Sequence, residues 1–298
     1  MAGGFVEVSA FSKINLFLTV LGKREDGYHN LVSVMQTLSL CDDLIIKQCD
    51  TNIQKEPIIL EANIPTLSVG DDNLIIKAAK LITNEYKINQ PIKIILTKRI
   101  PIGAGLGGGS SDCAATLKGI NQLFGLNISL DKLIRMGKTL GADVPFCLLG
   151  GTAIAEGVGE VLTPLPPPPK CYVVLACPPI HVSTKEIFEL LEQKHFSNKS
   201  NLNHFITAYK SQDINQITQH FENTFTQITS ILHPQIKALI IDLKNQGANA
   251  SAMTGTGSTV FAYFDNKTTA ENACKALQQL HKDTRFFITH TNPTLKHG

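Results

Sequence analysis

The chain has 298 residues, 43% of them hydrophobic, and a formal charge of +2. That length allows one large or two ordinary domains with real cores, and a near-neutral charge without basic blocks argues against a nucleic-acid or membrane-surface binder. Seven cysteines, at 41, 49, 113, 147, 171, 177 and 274, include no C-x-x-C pair, which argues against a disulfide framework or a zinc site and implies reduced thiols in a cytoplasmic protein.

The first thirty residues lack a positive n-region followed by an unbroken apolar block, so no secretion signal is expected. No apolar stretch approaches the roughly 18 to 20 residues of a membrane span. Phe5 to Val20 and Val34 to Lys47 are rich in Val, Ile, Leu and Phe with partial period-two alternation and predict two strands separated by the turn-rich "GKREDGYHN". From Asn73 to Tyr86, Leu74, Ile75, Ala78, Ala79 and Ile82 fall on one helical face, and "PIKIILTKRI" alternates as a strand. A helix from about Ser110 to Leu123 follows, then another in "SLDKLIRMGKTLG" with Ser129 as N-cap.

"TPLPPPPK" (163–170) contains four consecutive prolines, which form neither helix nor central strand, and places a domain boundary nearby. The expected domains are 1–162 and 163–298. Beyond the prolines, "CYVVLACPP" reads as a buried strand, two or three amphipathic helices fall between 184 and 246, "SAMTGTGSTVFAYF" reads as turn then strand, and a helix over Thr268 to His281 precedes the strand "RFFITH". That order suggests an α+β sandwich.

The stretch "PIGAGLGGGSSDCAATL" (101–117) carries glycines at 103, 105, 107, 108 and 109. With so little side chain, successive N–H groups can converge on an anion, and the start of the next helix adds unpaired N–H groups and a positive dipole end. A polyphosphate is the natural guest. No second strand with an acidic end follows, as a dinucleotide fold requires, and Gly109 stands where a Walker A loop needs Lys.

The loop resembles the central motif of the GHMP kinase superfamily. "SKINLFL" (12–18) resembles its first motif and "MTGTGSTVFAYF" (253–264) its third. Within the superfamily, "KINLFL", "DGYHNL" and "LGADVPFCLLGGTAIAEGVGE" are similar to the branch that phosphorylates a CDP-linked methylerythritol on its 2-hydroxyl in the non-mevalonate isoprenoid route. The chain departs from the pattern in carrying Phe11 and Ser12 where Pro-Ala is usual and Thr254 where Ser is frequent; Asp112 stands where relatives carry Asn or Asp.

The resemblance implies a two-domain α+β architecture, an N-terminal α/β domain of the ribosomal-protein type and a C-terminal ferredoxin-like sandwich. It implies an ATP-dependent kinase, with the nucleotide held by Pro101, Ile102, Gly103, Ala104, Gly105, Leu106, Gly107, Gly108, Gly109, Ser110 and Ser111. Lys98 and Asn73 are expected near the base or ribose, with an exposed charge and a helix cap as their ordinary readings. Mg²⁺ is expected with ATP, and Ser111 is its candidate ligand.

Phosphoryl transfer needs an in-line hydroxyl and a group to orient or accept its proton. Asp143 in "GADVPFCL" reads from its context as a cap, and the resemblance assigns it as the base. Lys13, between apolar strand neighbours, is either an edge lysine reaching water or, by resemblance, the ammonium paired with Asp143. Glu156 and Glu160, near two glycine turns, are either acid–base residues or, as the ordinary reading, structural or peripheral. Tyr28 and His29 offer a ring to stack on a pyrimidine and an imidazole for its edge, and the resemblance places the cytidine there, with Asn15 facing the same cleft as Lys13. Thr184 is an N-cap or a substrate contact, and Gly255 and Gly257 form a tight turn that closes on the phosphates. A monomer or weak homodimer is expected. Mevalonate or homoserine phosphorylation, or an RNA-binding protein of the same N-terminal fold, are the competing readings.

Overall fold

The structure is a computed structural model and describes residues 4–50, 56–196 and 200–291. Two long strands open the chain, β1 (Phe5–Lys23) and β2 (His29–Gln48). They are followed by β3 (Ile58–Ala62), α1 (Leu74–Glu85), β4 (Ile92–Thr97), α2 (Gly108–Leu123), α3 (Leu130–Lys138), α4 (Val144–Leu149), β5 (Thr152–Gly157) and β6 (Val161–Pro164). Beyond the proline run come β7 (Tyr172–Cys177), α5 (Thr184–Glu189), a 3-10 turn at Gln193–His195, α6 (Ser200–Lys210), α7 (Ile214–Thr218), β8 (Glu222–Asn223) and α8 (Phe225–Leu232). The chain continues through α9 (Pro234–Asn245), β9 (Ala250–Met253), β10 (Val260–Phe264), α10 (Lys267–Leu280) and β11 (Arg285–His290).

These elements gather into two compact units. One takes the chain up to Ser12, Leu40–Ile102 and Gly107–Leu149; the other takes Lys13–Ser39, Gly103–Leu106 and the chain from Gly150 onward. In the first, β3 runs parallel to β4 and β4 antiparallel to the second half of β2, with Leu44 opposite Leu96. Helices α1, α2, α3 and α4 cover this sheet. Their core joins the sheet residues Leu44, Ile46, Ile92 and Ile94 to Ile75, Ala78, Ile82, Cys113, Leu117 and Val144.

In the second unit β7 is sandwiched between β11 and β10 in an antiparallel sheet of order β11-β7-β10-β9. All five residues of β10 are buried. The core beneath them uses Val174, Ala176, Ile236, Leu239, Leu243, Phe264, Ala270, Ala273 and Leu277. The first half of β2 pairs antiparallel with β5, which pairs in turn with β6, and Phe17 and Leu18 of β1 run parallel to β8. Both units are therefore α+β, as expected.

Local signals account for the element ends that matter. Asn73 accepts the Ile75 N–H at 2.8 Å as N-cap of α1, and Ser129 accepts from Lys132 as N-cap of α3. Three expectations are corrected. Helix α2 begins at Gly108 and not at Ser110, because Gly107 takes a left-handed N-cap conformation, φ +69°, that lets the helix start early. Between 184 and 246 five α-helices stand instead of two or three: Asp213 caps a new helix after α6, and Pro234 cannot continue α8 and starts α9. "SAM" belongs to strand β9, paired with β10 across the turn, since small residues hide a strand from a hydrophobicity reading.

Candidate active site

After β4 the chain enters the glycine loop. Gly103, Gly105 and Gly107 have φ of +68°, +77° and +69°, alternating with residues that do not. Such alternation points successive N–H groups to one side, the geometry of a backbone anion nest. Gly107 offers no side-chain cap to α2, so the first N–H groups of that helix have no local acceptor. Such donors, at the positive end of a sixteen-residue helix, suit an anion as acceptor. Ser110 and Ser111 lie in the first turn. Ser111 is buried and donates its hydroxyl to Phe11 O at 2.6 Å, leaving oxygen lone pairs for a ligand.

The remainder of the loop is anchored in the second unit. Leu106 O accepts from Lys13 N at 3.0 Å and Ala104 O from Thr259 N at 3.3 Å. Gly105 is obligatory by contact as well as conformation: a Cβ there would lie 2.8 Å from Gly257 O and 2.9 Å from Thr254 O. Those carbonyls belong to the "TGTGS" turn, closed by Gly257 N to Thr254 O at 3.0 Å, with Gly255 and Gly257 both at positive φ. Asn223, which sequence reasoning passed over, holds the same turn by donating to Met253 O and Gly255 O at 2.8 Å each.

Asn15 ties this turn to Lys13. Its Oδ1 accepts from Lys13 Nζ at 3.0 Å, Thr254 Oγ1 at 3.1 Å and Gly255 N at 3.1 Å, while its Nδ2 donates to Ser33 Oγ at 2.8 Å. Thr254 thus keeps the hydroxyl that Ser would supply. Lys13 and Asn15 are both buried. Asp143 belongs to the first unit, directly ahead of α4, where it is half-buried and its carbonyl accepts from Cys147 N at 3.1 Å.

Lys98 is not an exposed charge. Its ammonium meets the carboxylates of Asp42 and, at 2.8 Å, Asp112, with all three side chains at most 5% exposed. Asp42 also accepts the N–H groups of Arg99 and Ile100, so it fixes the chain where it leaves β4. Asn73 is a helix cap, its Nδ2 donating to Ser68 O at 2.6 Å.

In the second unit, Asp26 accepts the Tyr28 N–H at 3.1 Å and shapes the turn that presents Tyr28, whose side chain is largely exposed. His29 lies 5.4 Å from the Phe188 ring and 6.1 Å from that of Phe196, centroid to centroid. Burial, with the Lys23 charge, holds its imidazole below the usual histidine range and hence neutral near pH 7. Thr184 is not the cap of α5; Ser183 is, accepting from Glu186 N, and the Thr184 hydroxyl lies 3.2 Å from that of Thr256. Glu160 caps its own turn through Val158 N.

Comparison with known proteins decides the family. The models of the GHMP kinases N terminal domain and the GHMP kinases C terminal match residues 73–151 and 205–283. A 4-diphosphocytidyl-2-C-methyl-D-erythritol kinase of Lachnoclostridium phytofermentans is 44% identical over 90% of this chain and 91% of its own length. One of Lachnospira eligens is 39% identical over 96% and 98%. The chain belongs to the GHMP kinase family. A crystal structure of 4-(cytidine 5'-diphospho)-2C-methyl-D-erythritol kinase matches this GHMP kinase with a TM-score of 0.83 at 30% identity, covering 97% of this chain and all of the other. This GHMP kinase is an ATP-dependent small-molecule kinase. No helix among its described residues is long and apolar enough to cross a membrane.

Besides Asn223, sequence reasoning missed the part played by four residues of the kinase that the structure brings to these sites. Asp42 and Asp112 were hidden because the partners of Lys98 lie 56 and 14 residues away. Phe188 and Phe196, more than 150 residues from His29, gave the same kind of through-space contact that spacing does not reveal.

Proposed function

We propose that this kinase transfers the γ-phosphoryl group of ATP to the 2-hydroxyl of 4-diphosphocytidyl-2-C-methyl-D-erythritol, giving the 2-phosphate and ADP, in the non-mevalonate isoprenoid route. The nucleotide half of the reading is carried by the left-handed glycines at 103, 105 and 107 leading into the uncapped start of α2. The acceptor half is supported by relatives of that name matching nearly end to end. It is also supported by the exposed Tyr28 ring beside a neutral His29, which fit the face and edge of a cytosine.

In this reading the loop amides and Ser110 hold the triphosphate in line with the acceptor. Asp143 orients the hydroxyl and accepts its proton as the O–P bond forms, and the Lys13 ammonium, oriented by Asn15, keeps that carboxylate ionised. Thr184, Gly255 and Gly257 border the acceptor and phosphates.

Mg²⁺ neutralises charge on the phosphates when bound. The described residues hold no cluster of three His, Cys, Asp or Glu side chains fit for a metal, which suits an ion carried chiefly by phosphate and water, with the Ser111 hydroxyl as its protein ligand. We place the enzyme in the cytoplasm, consistent with seven free thiols, as a monomer or weak homodimer without a nucleic-acid partner. We place its domain boundary at 162/163, between the two matched stretches. ADP release measured with the CDP-alcohol, mevalonate or homoserine tests the assignment: turnover is expected with the first alone, and turnover with mevalonate in its place would remove it.

A further inference from the structure

The cations that flank the glycine loop in sequence are already engaged. Lys98 is held by Asp42 and Asp112, and Arg99 by Asp43 at 2.6 Å. Lys13 meets Asn15 and, in the reading above, serves the acceptor side. The loop itself, 101–111, has no ionisable side chain. Main-chain amides alone leave oxygens of a polyphosphate open to a further donor from the side.

His181 stands at the entrance of that loop. A Cβ on Gly103 would lie 3.7 Å from its Nδ1, so the imidazole rests against the first of the left-handed glycines, and both residues belong to the second unit. The side chain is exposed, and among the described residues neither ring nitrogen has a hydrogen-bond partner and no carboxylate pairs with it. Its position is set by its neighbours. Ile180 N donates to Pro178 O at 2.8 Å in a tight turn after β7, Val182 and Ile187 are buried in the core beneath, and Ser183 caps α5. Ser258 Oγ lies 3.5 Å from Pro178 O and the hydroxyls of Thr184 and Thr256 lie 3.2 Å apart, so the segment 178–184 is tied to the same turn that packs on Gly105. The imidazole is thus presented to the loop by its backbone, with both nitrogens left for a ligand.

We propose that His181 is a phosphate-binding residue that donates a ring N–H to a pyrophosphate oxygen seated at the Gly103 end of the loop. An imidazole carries an N–H in either protonation state, and a hydrogen bond to an ionised phosphate oxygen is of the strong kind. The chemistry recognised is the pyrophosphate group, which ATP and the CDP-linked alcohol both carry, and the experiment below tells the two apart. The inference rests on the reading of the loop as a phosphate site and adds to it a side chain from outside the glycine motif.

Calorimetric titration of the full chain with ATP and, separately, with the CDP-alcohol compares the wild type with His181→Ala, with His181→Phe, which keeps a ring, and with His181→Gln, which keeps an N–H donor. Affinity for the ligand so held is expected to fall about 10- to 100-fold in the Ala and Phe variants and to be largely restored in the Gln variant. Loss with ATP places the contact on the triphosphate, and loss with the CDP-alcohol places it on the acceptor's diphosphate. A packing role gives the opposite order, with Phe retaining and Gln losing affinity. That order, or wild-type affinity for both ligands in all three variants, overturns the proposal and leaves the loop reading intact. Failure of the wild type to bind ATP removes the loop reading and this inference with it.

Discussion

Replacing Gly105 by Ala adds one methyl group at the point where the glycine loop meets the "TGTGS" turn. The methyl would sit 2.8 Å from Gly257 O and 2.9 Å from Thr254 O, both backbone atoms, at a φ of +77° that L side chains rarely adopt. The left-handed conformation costs about 1–2 kcal/mol, and crowding two carbonyls that cannot swing aside costs about 1–3 kcal/mol more. A loss of roughly 2–5 kcal/mol lowers Tm by about 3–8 °C for a protein of this size. Gly125→Ala provides the reference, because Gly125 has a φ of +58° and nothing within 4 Å of its added Cβ; it should show the conformational cost alone. Thermal unfolding by circular dichroism measures both. The loop must also shift to relieve the clash, so the KM for ATP is expected to rise in Gly105→Ala and not in Gly125→Ala. Equal Tm changes in the two variants would refute the packing argument, and an unchanged KM would detach Gly105 from the nucleotide.

Three other outcomes are expected. Asp143→Asn retains nucleotide binding but loses phosphoryl transfer by about two to four orders of magnitude, as removal of a positioned base does; calorimetry and single-turnover kinetics separate the two effects. His29→Ala raises the KM for the CDP-alcohol with little change in the KM for ATP, since His29 sits with Phe188 and Phe196 and away from the glycine motif in sequence. Asp112→Asn changes the pH dependence of stability. A carboxyl raised from 3.8 to about 7 in the folded chain binds its proton more tightly than in the unfolded chain, so its contribution, complete below about pH 4, is lost as pH rises through 7. The Tm of the variant is therefore expected to gain on wild type between pH 5 and 8, and a constant Tm difference would contradict the shift.

Much of this molecule is legible in its sequence wherever the determining contacts are local. Asn73 and Ser129 announce α1 and α3 because a cap bonds two or three residues ahead, and Ile75, Ala78, Ala79 and Ile82 share one buried face because a helix repeats every 3.6 residues. The glycine run is legible for the same reason: its conformations are set residue by residue. What escaped was set through space. Lys98 reads as a surface charge until Asp42, on another strand, closes over it, and His29 gains its aromatic neighbours from α5 and the segment beyond it. Thr184 missed its cap role by one residue, since Ser183 beside it carries an equivalent hydroxyl.

A crystal structure with a non-hydrolysable ATP analogue and the CDP-alcohol tests the account most directly. It is expected to show the β- and γ-phosphates within hydrogen-bond distance of main-chain N–H groups between Gly103 and Ser111, with the acceptor hydroxyl between the γ-phosphate and Asp143. Phosphates bound away from that loop, or an acceptor hydroxyl out of reach of Asp143, would contradict it.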